Sequence, residues 1–163
     1  MEATIPSQIL LFDLQGEQYA FDVLHVREVV SMVKVTPLPS SLDFMAGVIN
    51  LRGSVIPVVD LRRKFQFPPV DATADTSIVL AEIHFQQELV VIGAIVDAVR
   101  GVVSCEPQDV ETAPKFGMKL NSNLVQAIAK REGIFVIVLD VERVFSEDEL
   151  WLLQQGGTPG GKP

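Results

Sequence analysis

YAFDVLHVREVV (19–30) and IGAIVDAVRGVV (92–103) both close on V-R-x-V-V, so Val26, Arg27, Val29 and Val30 fall on Val99, Arg100, Val102 and Val103. A second pair, RGSVIPVVDLRRKF (52–65) and EGIFVIVLDVERVF (132–145), matches Gly53 to Gly133, Val58 to Val138, Asp60 to Asp140, Arg63 to Arg143 and Phe65 to Phe145. The order is the same in both halves, and ILLFDL opens the first as IVLAEI opens the second. Valine-rich strands look alike from composition alone. Matched Gly, Asp, Arg and Phe positions do not, so an internal repeat is predicted. The halves are placed at about 7–66 and 76–145, split near residue 70.

Working outward from the repeat, the apolar residues cluster in short runs rich in Val, Ile and Leu, a strand signal. The runs are 8–14, 18–21, 29–35, 47–51, 54–60, 78–85, 89–96, 99–104, 124–129 and 134–139. Polar Gln86-Gln87-Glu88 reads as a hairpin turn between two of them. Period two puts Tyr19, Phe21 and Val23 on one face, with Gln18 and Asp22 on the other. Many short strands with little helix between them predict an all-β fold, and five per half suits two SH3-like or OB-like barrels packed together.

Helices are expected to be few and short. Asp22 caps a turn carrying Val23, Val26 and Val30. A C-terminal helix is expected at about 146–155, opened by the Ser146/Glu149 capping box and stopped at Gly156-Gly157. The stretches 67–75 and 106–121 read as exposed loops, and 156–163 as a disordered tail.

The chain has 163 residues and a net charge of −8, which gives no electrostatic footprint for nucleic acid or anionic lipid. One Tyr and one Trp leave few stacking platforms, a second argument against a β-barrel nucleic-acid binder. No apolar run approaches the ~18 residues that span a bilayer. Glu2 and the lack of a basic start argue against a secretory signal. The single cysteine, Cys105, fits a reducing compartment.

Catalytic equipment is missing. His25 and His84 lie far apart without ligand spacing, so no metal is expected, and neither a phosphate loop nor a nucleophile elbow occurs. The basic run Arg62-Arg63-Lys64 reads as a solvated strand exit. The residues predict no enzyme, no cofactor, and a scaffold that binds proteins through strand edges and aliphatic patches.

The segment GVINLRGSVIPVVDLRRKF (47–65) resembles the signature of the CheW family of bacterial chemotaxis adaptors, through Gly47, Val48, Asn50, Leu51, Arg52, Gly53, Pro57, Asp60, Leu61 and Arg62. Residues 12–30, 90–105 and 133–145 are similar to the family's other segments in the same order, so the resemblance covers about 7–153. It implies two intertwined or adjoining five-stranded SH3-like barrels. It also implies a non-catalytic cytoplasmic adaptor that couples transmembrane chemoreceptors to the histidine kinase CheA. The implied partners are the kinase regulatory domain and the receptor's cytoplasmic tip, with a monomer expected when free. A non-flagellar pathway such as twitching motility shares the signature. The chain's length leaves no room for kinase or receiver domains, so the stand-alone adaptor is expected.

Glu28 and Arg52 stand at positions that bear on signalling in the resembling family, and they read either as a surface ion pair or as two unrelated solvated charges. Val26, Ile78 and Val99 read first as plain core packing, with a face toward a groove between the barrels, and so a coupling role, as the second reading. Gly47, Gly53, Gly93 and Gly133 are read as backbone requirements, for positive φ or close strand approach.

Overall fold

The computed structural model describes residues 5–39, 43–68, 70–112, 124–145 and Leu150. Among them the strands are β1 (Gln8–Leu14), β2 (Glu17–Asp22), β3 (Val26–Ser31), β4 (Met45–Leu51), β5 (Ser54–Asp60), β6 (Ser77–Phe85), β7 (Glu88–Val96), β8 (Ala98–Ser104), β9 (Val110–Thr112), β10 (Val125–Arg131) and β11 (Ile134–Leu139). One-turn helices α1 (Leu61–Lys64) and α2 (Val141–Val144) follow β5 and β11. The fold is all-β, with a five-stranded sheet ordered β3-β6-β7-β5-β4 and a six-stranded sheet ordered β8-β1-β2-β11-β10-β9.

These orders show that the sequence halves and the barrels do not coincide. Each half keeps its later strands and gives its opening hairpin to the other sheet: β6–β7 completes β3, β4 and β5, while β1–β2 completes β8, β10 and β11. The registers are equivalent too. The parallel pairing of β5 with β7 sets Val58 beside Gly93, and that of β11 with β2 sets Val138 beside Ala20. A bulge interrupts β3 between Val26 and Glu28, and another interrupts β8 between Val99 and Gly101. Each bulged arginine holds a carboxylate on the paired strand: Arg27 binds Glu82 at 2.7 Å and Arg100 binds Asp13 at 2.6 Å. Chain after β3 closes the first barrel through a Thr36–Val48 bridge, and β9 takes that role in the second, with Glu111 opposite Ile128.

The matched Asp and Arg of the repeat have a local cause. Asp60 and Asp140 are the N-caps of α1 and α2, accepting from the Arg62 and Glu142 amides at 2.9 and 3.0 Å. Arg63 and Arg143 sit one turn on, 3.7 and 3.6 Å from those carboxylates.

The core has three parts. Ile49, Ile56, Val58, Ile78, Leu80 and Ile95 fill the barrel of β3–β7. Ile9, Leu11, Ala20, Ala127, Ala129, Val136 and Val138 fill the other. A larger cluster lies between them, including Leu10, Phe12, Leu14, Tyr19 and Phe21 from β1–β2, and Val79, Ala81, Ile83, Ile92, Ala94 and Val96 from β6–β7. Successive strand residues point to opposite faces. The exchanged hairpins therefore bury one face in a barrel and the other in the seam, which is why QILLFDL and SIVLAEIHF read as nearly unbroken apolar runs. Strand β3 alternates instead, with one face toward solvent.

Several expectations are corrected. The turn capped by Asp22 covers only Val23–His25, with Asp22 accepting from the Leu24 amide at 3.0 Å. Val26, Glu28 and Val30 lie on β3 rather than on a helical face. The stretch read as a second loop contains a helical turn at Pro107–Asp109 and strand β9. Arg62 is not solvated: it is 6% exposed and bridges Asp60 at 2.9 Å and Asp97 at 3.1 Å. The hydrogen bond to Asp60 raises the Arg62 pKa despite burial, so the guanidinium remains charged. Asp97 in turn accepts from the Gln15 amide at 2.9 Å, tying α1 to the end of β1. The expected C-terminal helix (146–155) falls outside the described residues except for Leu150, which is buried in the seam cluster, and the tail (156–163) falls outside them altogether.

Gly47 has φ of 144°, and a Cβ there would sit 2.1 Å from the Thr36 carbonyl oxygen, against the bridge that closes the barrel. At Gly53, φ is 89° and a Cβ would meet nothing within 4 Å. Gly53→Ala therefore carries backbone strain alone, about 1 kcal/mol, and Gly47→Ala at least about 2 kcal/mol, ranked by urea denaturation. Arg62→Met removes the cation buried between Asp60 and Asp97, leaving Asp60 the half-exposed Arg63 and Asp97 the Gln15 amide, and should cost about 3 kcal/mol in the same measurement.

Candidate functional site

The sheet order makes β3 and β4 the two edges of the first barrel, and closure brings their ends together. Across that seam the Arg52 guanidinium donates to the Glu28 carboxylate. Arg52 itself is a turn residue. With φ of 52° followed by 89° at Gly53, it forms the two-residue connection between β4 and β5 that matches strand twist. Asn50 stabilises the turn by accepting from the Gly53 amide at 3.0 Å. Glu132 and Gly133 repeat the turn with φ of 50° and 80°, but the position equivalent to Glu28 is Gly101, so the second barrel has the turn without the pair.

The pair stands at the rim of an open groove of about 660 Å³. Leu51, Val55, Pro57, Leu89, Val90 and Val91 give the groove its apolar lining, and Arg27, Glu28, Arg52 and Glu88 charge it. Val55 is 70% exposed and Leu89 49%, so both present aliphatic surface to solvent. A groove with aliphatic walls and a charged rim is suited to holding a protein segment.

The five residues singled out for coupling do not assemble into one site. Glu28 and Arg52 meet at the rim. Val26 and Val99 are half-buried against the cluster between the barrels. Ile78 does not face that seam: it is fully buried inside the first barrel beside Gly93, whose Cβ would lie 2.8 Å from the Ile78 Cγ2. Residue 78 points inward because Val79 and Ala81 take the seam face of β6. Val55, Pro57 and Leu89 were missed. Pro57 stands within the quoted signature, but alternation of strand faces is the sole signal for Val55 and Leu89, and both lie in aliphatic runs where that signal is lost.

Elsewhere the chemistry is quiet. Among the described residues, no group of three or more His, Cys, Asp or Glu is placed to hold a metal ion. Burial pushes the Cys105 thiol up, against a smaller opposing effect of Arg131, so it stays protonated and weakly reactive at neutral pH. Burial, with Glu17 adding, likewise raises the Tyr19 phenol. No helix among the described residues is long and apolar enough to cross a membrane.

Comparison with known proteins places this architecture. A family described as the CheW-like domain matches residues 8–149. The chain is 31% identical to the chemotaxis protein CheW of Klebsiella aerogenes, over 92% of this chain and 88% of that one. It is 32% identical to the chemotaxis protein CheW of Thermotoga maritima, over 86% and 88%. The crystal structure of the scaffolding protein TtCheW from Thermoanaerobacter tengcongensis superposes with a TM-score of 0.77 at 32% identity, covering 89% of this chain and 96% of that one. With the signature turn, the paired sheets and these matches in agreement, the chain belongs to the CheW-like family of chemotaxis coupling proteins.

Proposed function

We propose that the protein is a non-catalytic cytoplasmic adaptor that couples transmembrane chemoreceptors to a CheA-type histidine kinase. It does so by binding the kinase regulatory domain and the receptor's cytoplasmic tip. Family membership supports the pathway. The observation that carries the binding role is the open groove of mixed aliphatic and charged lining rimmed by Glu28 and Arg52. In this reading the aliphatic wall supplies the kinase contact, and the ion pair fixes the rim that a receptor helix meets. Arginine suits the second task because its planar fork holds a carboxylate in a defined orientation.

A pull-down with the regulatory domain of a CheA-type kinase tests the reading directly, and failure to bind contradicts it. The kinase contact is apolar, so raising NaCl to ~0.5 M should leave most of the binding intact, since salt screens exposed charges. Loss of binding at that salt concentration would point to charge pairing instead.

The rim pair is expected to serve coupling more than stability. Exposed ion pairs are worth ~0–1 kcal/mol, and Arg52 is 68% exposed at its side chain. The turn also tolerates an acidic residue, because Glu132 already occupies the equivalent left-handed position. Glu28→Arg and Arg52→Glu should therefore each unfold within ~1 kcal/mol of wild type, yet weaken receptor control of the kinase in a reconstituted assay. The double swap should restore part of the control. Normal control in both folded single variants would reduce the pair to solvated charge.

A further inference from the structure

The two halves repeat a contact across the seam, and its chemistry differs at the two ends. At one end Arg62, the second residue of α1, reaches Asp97, which accepts from the Gln15 amide just past β1. At the other end Glu142, the second residue of α2, reaches back to β6. Its Oε2 lies 3.5 Å from His84 Nδ1 and 3.9 Å from His25 Nδ1, and accepts from the His84 amide at 3.4 Å. The registers β1–β8 and β6–β3 make Gln15 and His84 equivalent, as the Asp-capped helices make Arg62 and Glu142 equivalent. Thus the chain's two histidines converge on one carboxylate where its counterpart places an arginine between carboxylates.

We propose that His25, His84 and Glu142 form a proton-dependent clasp between the barrels. Glu142 follows β11 of one barrel, His84 belongs to β6 of the other, and His25 lies in the crossover from β2 to β3. Protonation of either imidazole sets a cation beside Glu142, where α2 already rests on β6 through the His84 amide. Histidine ordinarily changes charge between pH 5 and 8, whereas arginine stays charged throughout. The seam then has one permanent clasp and one that tightens as pH falls.

The charged groups on the surrounding elements are engaged elsewhere. Glu82 on β6 holds Arg27, Asp13 on β1 holds Arg100, and Asp140 holds Arg143. Asp22 caps the turn containing His25, and Glu88 on β7 lines the groove. His84 is 74% exposed at its side chain, so solvent screens the clasp and its effect is small.

The test is thermal unfolding of the full chain in EDTA at pH 8.0 and pH 5.5, comparing wild type with Glu142→Gln and with the double variant His25→Gln/His84→Gln. The Tm advantage of wild type over each variant should widen by about 1–3 °C at the lower pH. The difference between the two variants should stay constant. An advantage of equal size at both pH values would overturn the proposal. So would one that appears only when zinc replaces EDTA, since that assigns the three side chains to a metal. Should Glu142→Gln fail to fold, the double histidine variant decides the question alone, with hydrogen exchange at the α2 and β6 amides as the second readout.

Discussion

The structure depends on the reciprocal exchange of hairpins. Neither half can close a barrel with its own opening strands, because β1–β2 and β6–β7 each lie in the other half's sheet. The exchange buries both faces of four strands and creates the seam cluster, in which Phe12 packs against Phe21 at 4.9 Å and Leu139, Val144 and Phe145 complete the fill. Fully burying such a side chain is worth about 1.5–3 kcal/mol, so the seam is a major share of the core rather than a contact between independent domains. The barrels are therefore expected to unfold together. The buried Arg62, held by Asp60 and Asp97, pins one end of the same seam.

The repeat was legible because the exchange is symmetric. The Asp of each cap, the Arg one turn on, the bulged Arg and the turn Gly recur at equal places since each does the same local work twice. The barrel count followed from strand number. The partition of strands did not follow, because pairing partners are set by long-range contacts and a doubly buried strand carries no alternation to say which neighbour it faces. The same loss left Ile78 undecided between groove and core; it is core, one residue from the seam face of β6. It hid Arg62 too: a basic run reads as solvated unless a buried carboxylate waits for it, and Asp97 comes from a distant part of the chain.

For the site, residue types were readable and their assembly only in part. Glu28 and Arg52 do meet, because barrel closure brings the edge strand and the β4–β5 turn together. The groove beside them needs Leu89 from β7 and Val55 from β5, strands joined by the exchange, so it exists only in the folded chain. The second barrel keeps the turn but has Gly101 where the first has Glu28, so Glu132 has no counterpart of the Glu28–Arg52 pair and lies instead 3.9 Å from its neighbour Arg131. Equivalent folds thus carry unequal rims.

The central claim is that the groove beside the Glu28–Arg52 pair receives the partner. Amide chemical-shift mapping of the labelled protein during titration with the regulatory domain of a CheA-type kinase tests it most directly. The account predicts the largest changes on the aliphatic wall, at Val55, Leu89, Val90 and Val91, with the β10–β11 turn at Glu132 and Gly133 little affected. Changes confined to that second turn, with the groove amides unmoved at saturation, would contradict it.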